Sequence, residues 1–457
     1  VEEQTSPPGR TDAAVGGSNS SLRRKVRFAL ILGGLTAFGP LSMDMYLPAL
    51  PQLTEDLGAT TAQAQLTLTS VLLGLAFGQL IAGPLSDSVG RRKPLMVGLG
   101  VYITASVLCA LSESVYALAA LRFLQGLGAA AGMVIARASV RDLYSGLEVA
   151  RFFSGLMLVT GLAPILAPVI GGQILTYTTW RGVFVVLTTF GVLLMSVVVF
   201  ALPETKPPEW RQPTRLKSTF ATFGRLIAEP SFLGNALTAG LAMAAMFAYI
   251  SGSSFVLQDI YGMSPQTYSL VFSMNAIGLV AAGQVNARLV GRVATESQLL
   301  LSALTSASVA GVLLVSTVLF GLPLPVLLAA LFVMIASLGF VMPNTTTLVL
   351  ANHREVSGSA SALLGVSQFV VGALAAPLVG LGGVGSALPM VLVMFGVVLA
   401  ATTVYVTLGR RASHSAERVT VASGHSTGGD SSGDHSTSSG AARSSPTESA
   451  RERSAER

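Results

Sequence analysis

Two charged side chains stand where an apolar chain ordinarily carries none. The stretch LSMDMYLPAL, residues 41 to 50, places Asp44 near the end of an apolar run that begins at Phe28, and LRFLQGLGAAAG, residues 121 to 132, places Arg122 inside another. A charged side chain facing lipid costs roughly 2.5 to 3.5 kcal/mol at mid-helix, so a chain keeps one only where it has a partner, a proton or water. A carboxylate that takes up and releases a proton, beside a guanidinium that governs when it does so, is the chemistry of ion coupling across a membrane. Counted at about 1.5 Å per residue from the outer ends of their runs, both lie on the order of 10 Å deep, which leaves a direct or a water-mediated pair open. Of the 22 acids, Asp44 alone falls well within an apolar run; Glu55, Asp56, Glu113 and Asp259 fall at outer ends or loops, Glu229 at an inner end, and the others in inner loops and termini.

These residues need a membrane-spanning frame, and composition supplies it. Hydrophobic residues make up 51% of the 457 and charged ones 11%, about half the charge share of an ordinary soluble domain. The apolar residues gather in runs of about twenty, the length that crosses a bilayer as a helix. Spans are expected near 28–48, 66–85, 95–112, 115–136, 151–175, 181–202, 229–256, 266–287, 298–319, 326–349, 360–380 and 388–408. The basic residues test that count, because Lys and Arg collect in cytoplasmic loops. With the N-terminus inside, all but Arg122 and Arg181 of the 28 Lys and Arg fall on inner segments. Both termini are therefore expected in the cytoplasm. The net charge of +6 reports this topology and gives no sign of a nucleic-acid partner. One cysteine, Cys109, forms no intramolecular disulfide. The segment SLRRKVRFALILGG has the outline of a twin-Arg signal, but its apolar run continues to Asp44 without a small-residue cleavage pattern and reads as an uncleaved first helix.

The polar, Pro-rich segment from Pro203, PETKPPEWRQPTRLK, divides the spans six and six. The expected organisation is a disordered cytoplasmic N-terminus over 1–27, a six-helix half over 28–202, a cytoplasmic linker over 203–228, a second half over 229–408 and a disordered tail over 409–457. Equal halves about a midplane site are the outline of a transporter built by duplication. Sequence support for the repeat is thin: GQLIAG at Gly78 and GQVNAR at Gly283 occupy corresponding places.

Three segments stand out from plain spans. The loop GPLSDSVGRRKPL, residues 83 to 95, sets Asp87 among Arg91, Arg92 and Lys93, with Gly83 and Gly90 allowing close approach or positive φ. Gly126, Gly128 and Ala131 match a nucleotide-binding fingerprint, but no strand precedes them, and small residues for helix packing explain them better. GLMLVTGLAPILAPVIGG, residues 155 to 172, concentrates Gly161, Pro164, Pro168, Gly171 and Gly172 in one span, where each proline removes an N–H donor and the glycines make a small-residue face.

The order GxLxDxxGRR in that loop resembles the signature of the major facilitator superfamily. MDMYLPALP, LRFLQGLGAAAG, RDLYSG at Arg141, LAPILAPVIGG, PET at Pro203, AYISGSSFV at Ala248, MPN at Met342 and SGSASALLG at Ser357 are together similar to the Bcr/CflA family of bicyclomycin and chloramphenicol resistance proteins, over all twelve spans. The resemblance implies an all-α major facilitator fold and a plasma-membrane drug:proton antiporter. It implies that Gly83, Asp87, Gly90, Arg91 and Arg92 form a cytoplasmic latch between the halves in one state. It implies that the glycine- and proline-rich helix seals one half against the other. It also implies a cavity lined by spans 1, 4, 7 and 10, with Tyr46, Phe247, Tyr249, Asn275, Met342 and Asn344 as contacts, although packing explains any one of them equally well. Related multidrug exporters carry a second carboxylate two turns before the acid of span 1; here that place is Thr36, so two-carboxylate mechanisms do not transfer.

The expected function is proton-coupled efflux of small toxic compounds by a monomer in the lipid bilayer, with the proton as coupling ion and no cofactor or metal. Asp44 takes its proton from outside and releases it inside, under the control of Arg122. The alternative is a proton-coupled importer of a small metabolite on the same scaffold. An enzyme is not expected: there is no HExxH, no Walker sequence and no His or Cys cluster, and His353, His414, His425 and His435 all lie in loops or tail.

Overall fold

The computed structural model describes residues 12–144, 147–210, 216–353, 356–380 and 385–409. Fourteen helices follow in order: α1 (Asp12–Asp44), α2 (Leu50–Asp56), α3 (Thr61–Val89), α4 (Arg92–Ala110), α5 (Val115–Leu143), α6 (Leu147–Tyr177), α7 (Trp180–Ala201), α8 (Leu216–Ala228), α9 (Pro230–Phe255), α10 (Pro265–Leu289), α11 (Glu296–Phe320), α12 (Leu324–Asn352), α13 (Ser357–Gly380) and α14 (Leu388–Val404). Twelve stretches are long and apolar enough to cross a membrane, the first running from Val26 through α2 to Asp56 and the last from Leu388 to Gly409. Each overlaps one expected span, with ends that differ by a few residues. The chain is a multi-pass membrane protein of two six-helix halves.

The duplication that sequence barely shows is plain in the packing. In the first half α3 packs on α5, α4 on α5 and α7, and α1 on α5 and α6. The same pattern recurs with α10 on α12, α11 on α12 and α14, and α9 on α12 and α13. The halves meet symmetrically, α3 on α13 and α10 on α6. Small residues allow the closest approaches. A Cβ on Gly126 of α5 would overlap the Val71 carbonyl of α3, and in the matching helix pair of the second half one on Gly339 of α12 would overlap the Leu279 carbonyl of α10. Gly128 likewise backs onto the Gly98 carbonyl of α4, which accounts for the glycine-rich run of α5 as packing.

Three segments differ from expectation. Helix α1 starts at Asp12, inside the stretch expected to be disordered; once the apolar run has nucleated a helix, each added residue gains a hydrogen bond at little further cost. Residues 1–11 and 410–457 lie outside the described residues. Within 203–228 the linker holds α8, whose Leu226 is buried against Phe232, Ala236, Val349 and Leu364 while Ile227 faces outward. The first span is not one continuous helix, and that break builds the site.

Candidate functional site

Helix α1 stops at Asp44 because Pro48 lies four residues on: it has no N–H to return to the Asp44 carbonyl, and its ring collides with that carbonyl in a continuing helix. The chain turns through Met45 and Tyr46, makes a single 3-10 turn over Leu47–Ala49, and resumes as α2. Irregular backbone at membrane depth is tolerated only where protein covers it or it lines a cavity. Here it is covered. Gly171 of α6 lies directly on the Met45 carbonyl, too close for any Cβ. From the other half, Ser254 of α9 donates to the Leu47 carbonyl at 2.7 Å and Gln258 to the Pro48 carbonyl at 3.3 Å.

Asp44 ends α1 at this seam, 4% exposed, and its Oδ1 has no hydrogen-bond partner among the described residues. Tyr249 of α9 and Tyr268 of α10 lie within electrostatic range of it from the opposite half. The Tyr249 hydroxyl accepts from Asn275 Nδ2 at 2.7 Å, and its ring stacks on Phe272 at 5.3 Å between centroids.

Arg122 does not pair with Asp44 in this structure. Its Nη1 donates to the Ser42 carbonyl at 2.8 Å and to Gln125 Oε1 at 2.6 Å, and its guanidinium lies over the rings of Tyr46, at 4.7 Å, and Phe184, at 5.7 Å. The physical reason is local: a glutamine one turn on and two aromatic faces hold the cation inside the first half, while the α1 break leaves Asp44 at the seam. Arg122 is fully buried, yet among the described residues its Nε and Nη2 have no hydrogen-bond partner. The lattice around it continues through Gln125 Nε2, which donates to Ser106 Oγ at 2.7 Å, and through Ser42 Oγ, which shares a hydrogen bond with the Tyr102 hydroxyl at 2.8 Å. Sequence reasoning alone passes over Ser42, Tyr102, Ser106, Gln125 and Phe184. Two signals point toward the arrangement: Gln125 stands three residues after a buried arginine, on the same helical face, and Pro48 stands four after Asp44.

The loop motif finds its partners close by in this structure. Gly90 sits at φ 103°, a conformation that suits glycine, and ends α3. Arg91 then pairs with Asp87 at 2.9 Å and with Asp142 of α5 at 2.8 Å, and Lys206 pairs with Asp87 at 2.6 Å. The Glu204 carboxylate accepts from the backbone N–H of Arg91 and of Arg92, and Arg92 donates to the Val199 carbonyl. Burial works against the Arg91 charge, but the hydrogen bond and charge of Asp142, and then of Asp87, outweigh it and raise its pKa above the ordinary value. Every one of these contacts lies within the first half and the segment after α7. Among the described residues its ion pairs tie that half to the linker here, with Asp87 and Asp142 both engaged by nearby cations.

The face carrying these basic loops holds a cavity of about 540 Å³ that reaches from Gln79, Asp87 and Arg137 across to Ser359 and Val366 of α13. Toward the opposite face hydrogen bonds tie the seam, beneath a cavity of about 990 Å³ at that end lined by Pro51, Thr60, Gln258 and Gly380. Gln65 donates to the Ser251 carbonyl at 3.2 Å, Thr69 to Ala373 at 3.4 Å, Gln266 to Gly172 at 3.0 Å and Ser273 to Ile165 at 2.6 Å, all across the seam. The α6 motif takes part in that closure: Gly172 lies against Ser269 and Gly161 against Val280 of α10, while Pro164 and Pro168 sit within an unbroken helix. Of the six cavity candidates, Tyr249 and Asn275 come together near Asp44. Tyr46 is buried inside the first half and shares a hydrogen bond with Thr67 at 3.1 Å. Phe247 packs on Phe369, and Asn344 exchanges hydrogen bonds with Asn286 of α10. None of the six, Met342 included, lines the cavity of the basic face.

Comparison with known proteins agrees with this architecture. Residues 32–377 match the model of the Major Facilitator Superfamily. The chain is 41% identical over 379 residues to the uncharacterised MFS-type transporter YdgK of Bacillus subtilis, covering 82% of this chain and 94% of that protein. It is 34% identical over 386 residues to the bicyclomycin resistance protein homolog of Haemophilus influenzae, covering 84% and 96%. It is 32% identical over 254 residues to the multidrug resistance protein MdtL of Klebsiella pneumoniae, covering 55% and 63%. Among solved structures, the fold is shared with a point mutant of the nucleoside transporter NupG, at TM-score 0.70 and 12% identity over 84% of this chain and 99% of that one. It is shared also with an inward-facing bacterial homolog of the human lysosomal transporter Spinster, at TM-score 0.64 and 15% identity over 84% and 96%.

Proposed function

The chain belongs to the Major Facilitator Superfamily of membrane transporters, and from that premise we propose that it is a drug:proton antiporter of the Bcr/CflA type, exporting small toxic compounds from the cytoplasm across the plasma membrane. The observation that carries this reading is the broken first span. A buried carboxylate with an unpartnered oxygen ends α1 at the seam of the halves, a few side chains from a buried guanidinium whose Nε and Nη2 are also unpartnered. Two buried charges left half-satisfied are costly in any single state; a cycle in which they meet in one state and part in another repays that cost.

The basic loops lie in the cytoplasm by the charge rule, so the closed face is outer and the arrangement is inward-open. In this state Asp44 lies within electrostatic range of Tyr249 and Tyr268, and Arg122 is held by Gln125, the Ser42 carbonyl and the Tyr46 ring. Opening the outer face separates α9 from the Leu47–Pro48 turn and exposes Asp44 to outside protons. Closing it again delivers the proton to the inner side, where Asp44 gives it up as drug binds. Thr36 takes no part in coupling: it donates to the Leu32 carbonyl at 2.7 Å and carries no charge. The names of two relatives, for bicyclomycin and for multidrug resistance, support drugs as the exported class. Everted membrane vesicles test the direction. Drug accumulation on acidifying the lumen is the expected result; drug loss from loaded vesicles on the same treatment means symport and overturns the reading.

A further inference from the structure

The cavity of the basic face contains donors that the coupling scheme leaves unused. Arg137, six residues before the end of α5, lines it and makes no ion pair among the described residues; the charge that acts on it is a second cation, Arg141. The two acids in the lining are already taken, Asp142 by Arg91 and Asp87 by Arg91 and Lys206. Gln79 of α3 also lines the cavity, and its buried Nε2 has no acceptor among the described residues. From the opposite half, Ser359 and Ser361 bring hydroxyls from the first turn of α13, the positive end of that helix dipole. Leu80 and Val134 give the same space apolar walls. A cation without a counter-charge in a partly desolvated cleft is satisfied by an anion, most strongly through the paired N–H groups of a guanidinium. The volume of about 540 Å³ falls in the range of about 300 to 1,000 Å³ typical of small-molecule sites.

We propose that this cavity binds an amphiphilic organic anion, its carboxylate or phosphate held by Arg137 and Gln79 and its apolar body against α3 and α5. Because the donors come from both halves, the bound anion bridges α5 to α13 on the cytoplasmic side. The site is independent of Asp44 and stands or falls apart from proton coupling. The same chemistry is offered by the headgroup of an acidic phospholipid and by a soluble organic anion.

Binding to the purified full chain in dodecyl maltoside separates these sources. The probes are dioctanoyl phosphatidylglycerol and 2-naphthoate, with dioctanoyl phosphatidylcholine and 2-naphthol as controls lacking net negative charge. At least one anion is expected to bind saturably and its control not. Tighter phosphatidylglycerol identifies a lipid site, tighter naphthoate a solute site, and either supports the proposal. Arg137→Gln is expected to weaken binding by about tenfold or more, Arg137→Lys by less than Arg137→Gln because it keeps the charge but not the paired N–H groups, and Arg141→Gln by less than about threefold. Saturable binding of neither anion, equal binding of the controls, or unchanged affinity in Arg137→Gln would overturn the assignment. Should Arg137→Gln not yield a monodisperse protein, Gln79→Leu carries the test, with a loss of about threefold or more expected and an unchanged affinity overturning the proposal.

Discussion

At the level of single residues, the sequence announces Asp44 and Arg122 because a charge in an apolar run has a cost that composition cannot hide. It does not announce how they stand to one another. Their separation depends on Pro48 ending α1 and on Gln125 capturing the guanidinium, and both residue types are common enough to pass unnoticed. Ser42, Tyr102 and Ser106 are illegible for the same reason: each is an ordinary polar residue until the fold sets it beside Arg122. The arrangement asks for a planar cation that bonds Ser42 and Gln125 while lying over Tyr46, which an ammonium cannot do. Arg122→Lys is therefore expected to express normally and to lower proton-driven export by about tenfold or more. Export at the wild-type rate would show that charge alone suffices at this position.

Among the helices, the twelve spans are legible because a bilayer imposes both their length and the sidedness of their basic loops. Helix α8 is not, since a short amphipathic segment in a polar linker has no comparable constraint, and only its packing on α9, α12 and α13 gives it a place. The α6 motif reads as a seal from its resemblance; Gly161 and Gly172 lie against α10 of the other half, while Gly171 lies on the Met45 carbonyl of its own half. Gly171→Ala sets a methyl group against the Met45 carbonyl, whereas a methyl at Gly155 of the same helix meets nothing within 4 Å. Resistance conferred by Gly171→Ala should fall by about tenfold while Gly155→Ala stays near wild type, since overpacking against backbone has no flexible side chain to give way. Equal resistance in the two would remove Gly171 from the closure. The loop motif works on the same scale. Asp87→Asn frees Arg91 and Lys206 from one shared acid, so export should drop while drug binding by purified protein holds within about twofold, because the cluster lies at the basic face and away from Asp44. Binding that falls as steeply as export would make Asp87 part of the drug site.

Considered as a whole molecule, the protein shows its repeat in packing that sequence scarcely preserves, because what duplication conserves is where small residues let helices touch, as at Gly126 and Gly339. One face open and the other tied across the seam is a statement about accessibility that thiol labelling reads directly. Cys109 is buried, so cysteines placed at Ala138 in the cavity and at Ser254 in the closed face report with little background. A membrane-impermeant maleimide should label Ala138→Cys from the cytoplasmic side at least about tenfold faster than it labels Ser254→Cys from outside. The reverse order would mean that the resting state is open outward. The central claim is that Asp44 alone carries the coupling proton. The most direct measurement follows a compound to which the wild-type chain confers resistance, driven by an imposed pH gradient into proteoliposomes containing wild type or Asp44→Asn. Wild type is predicted to concentrate the compound, and Asp44→Asn to exchange it only downhill, with no accumulation. Gradient-driven accumulation by Asp44→Asn at the wild-type level would contradict the account and place the coupling proton elsewhere.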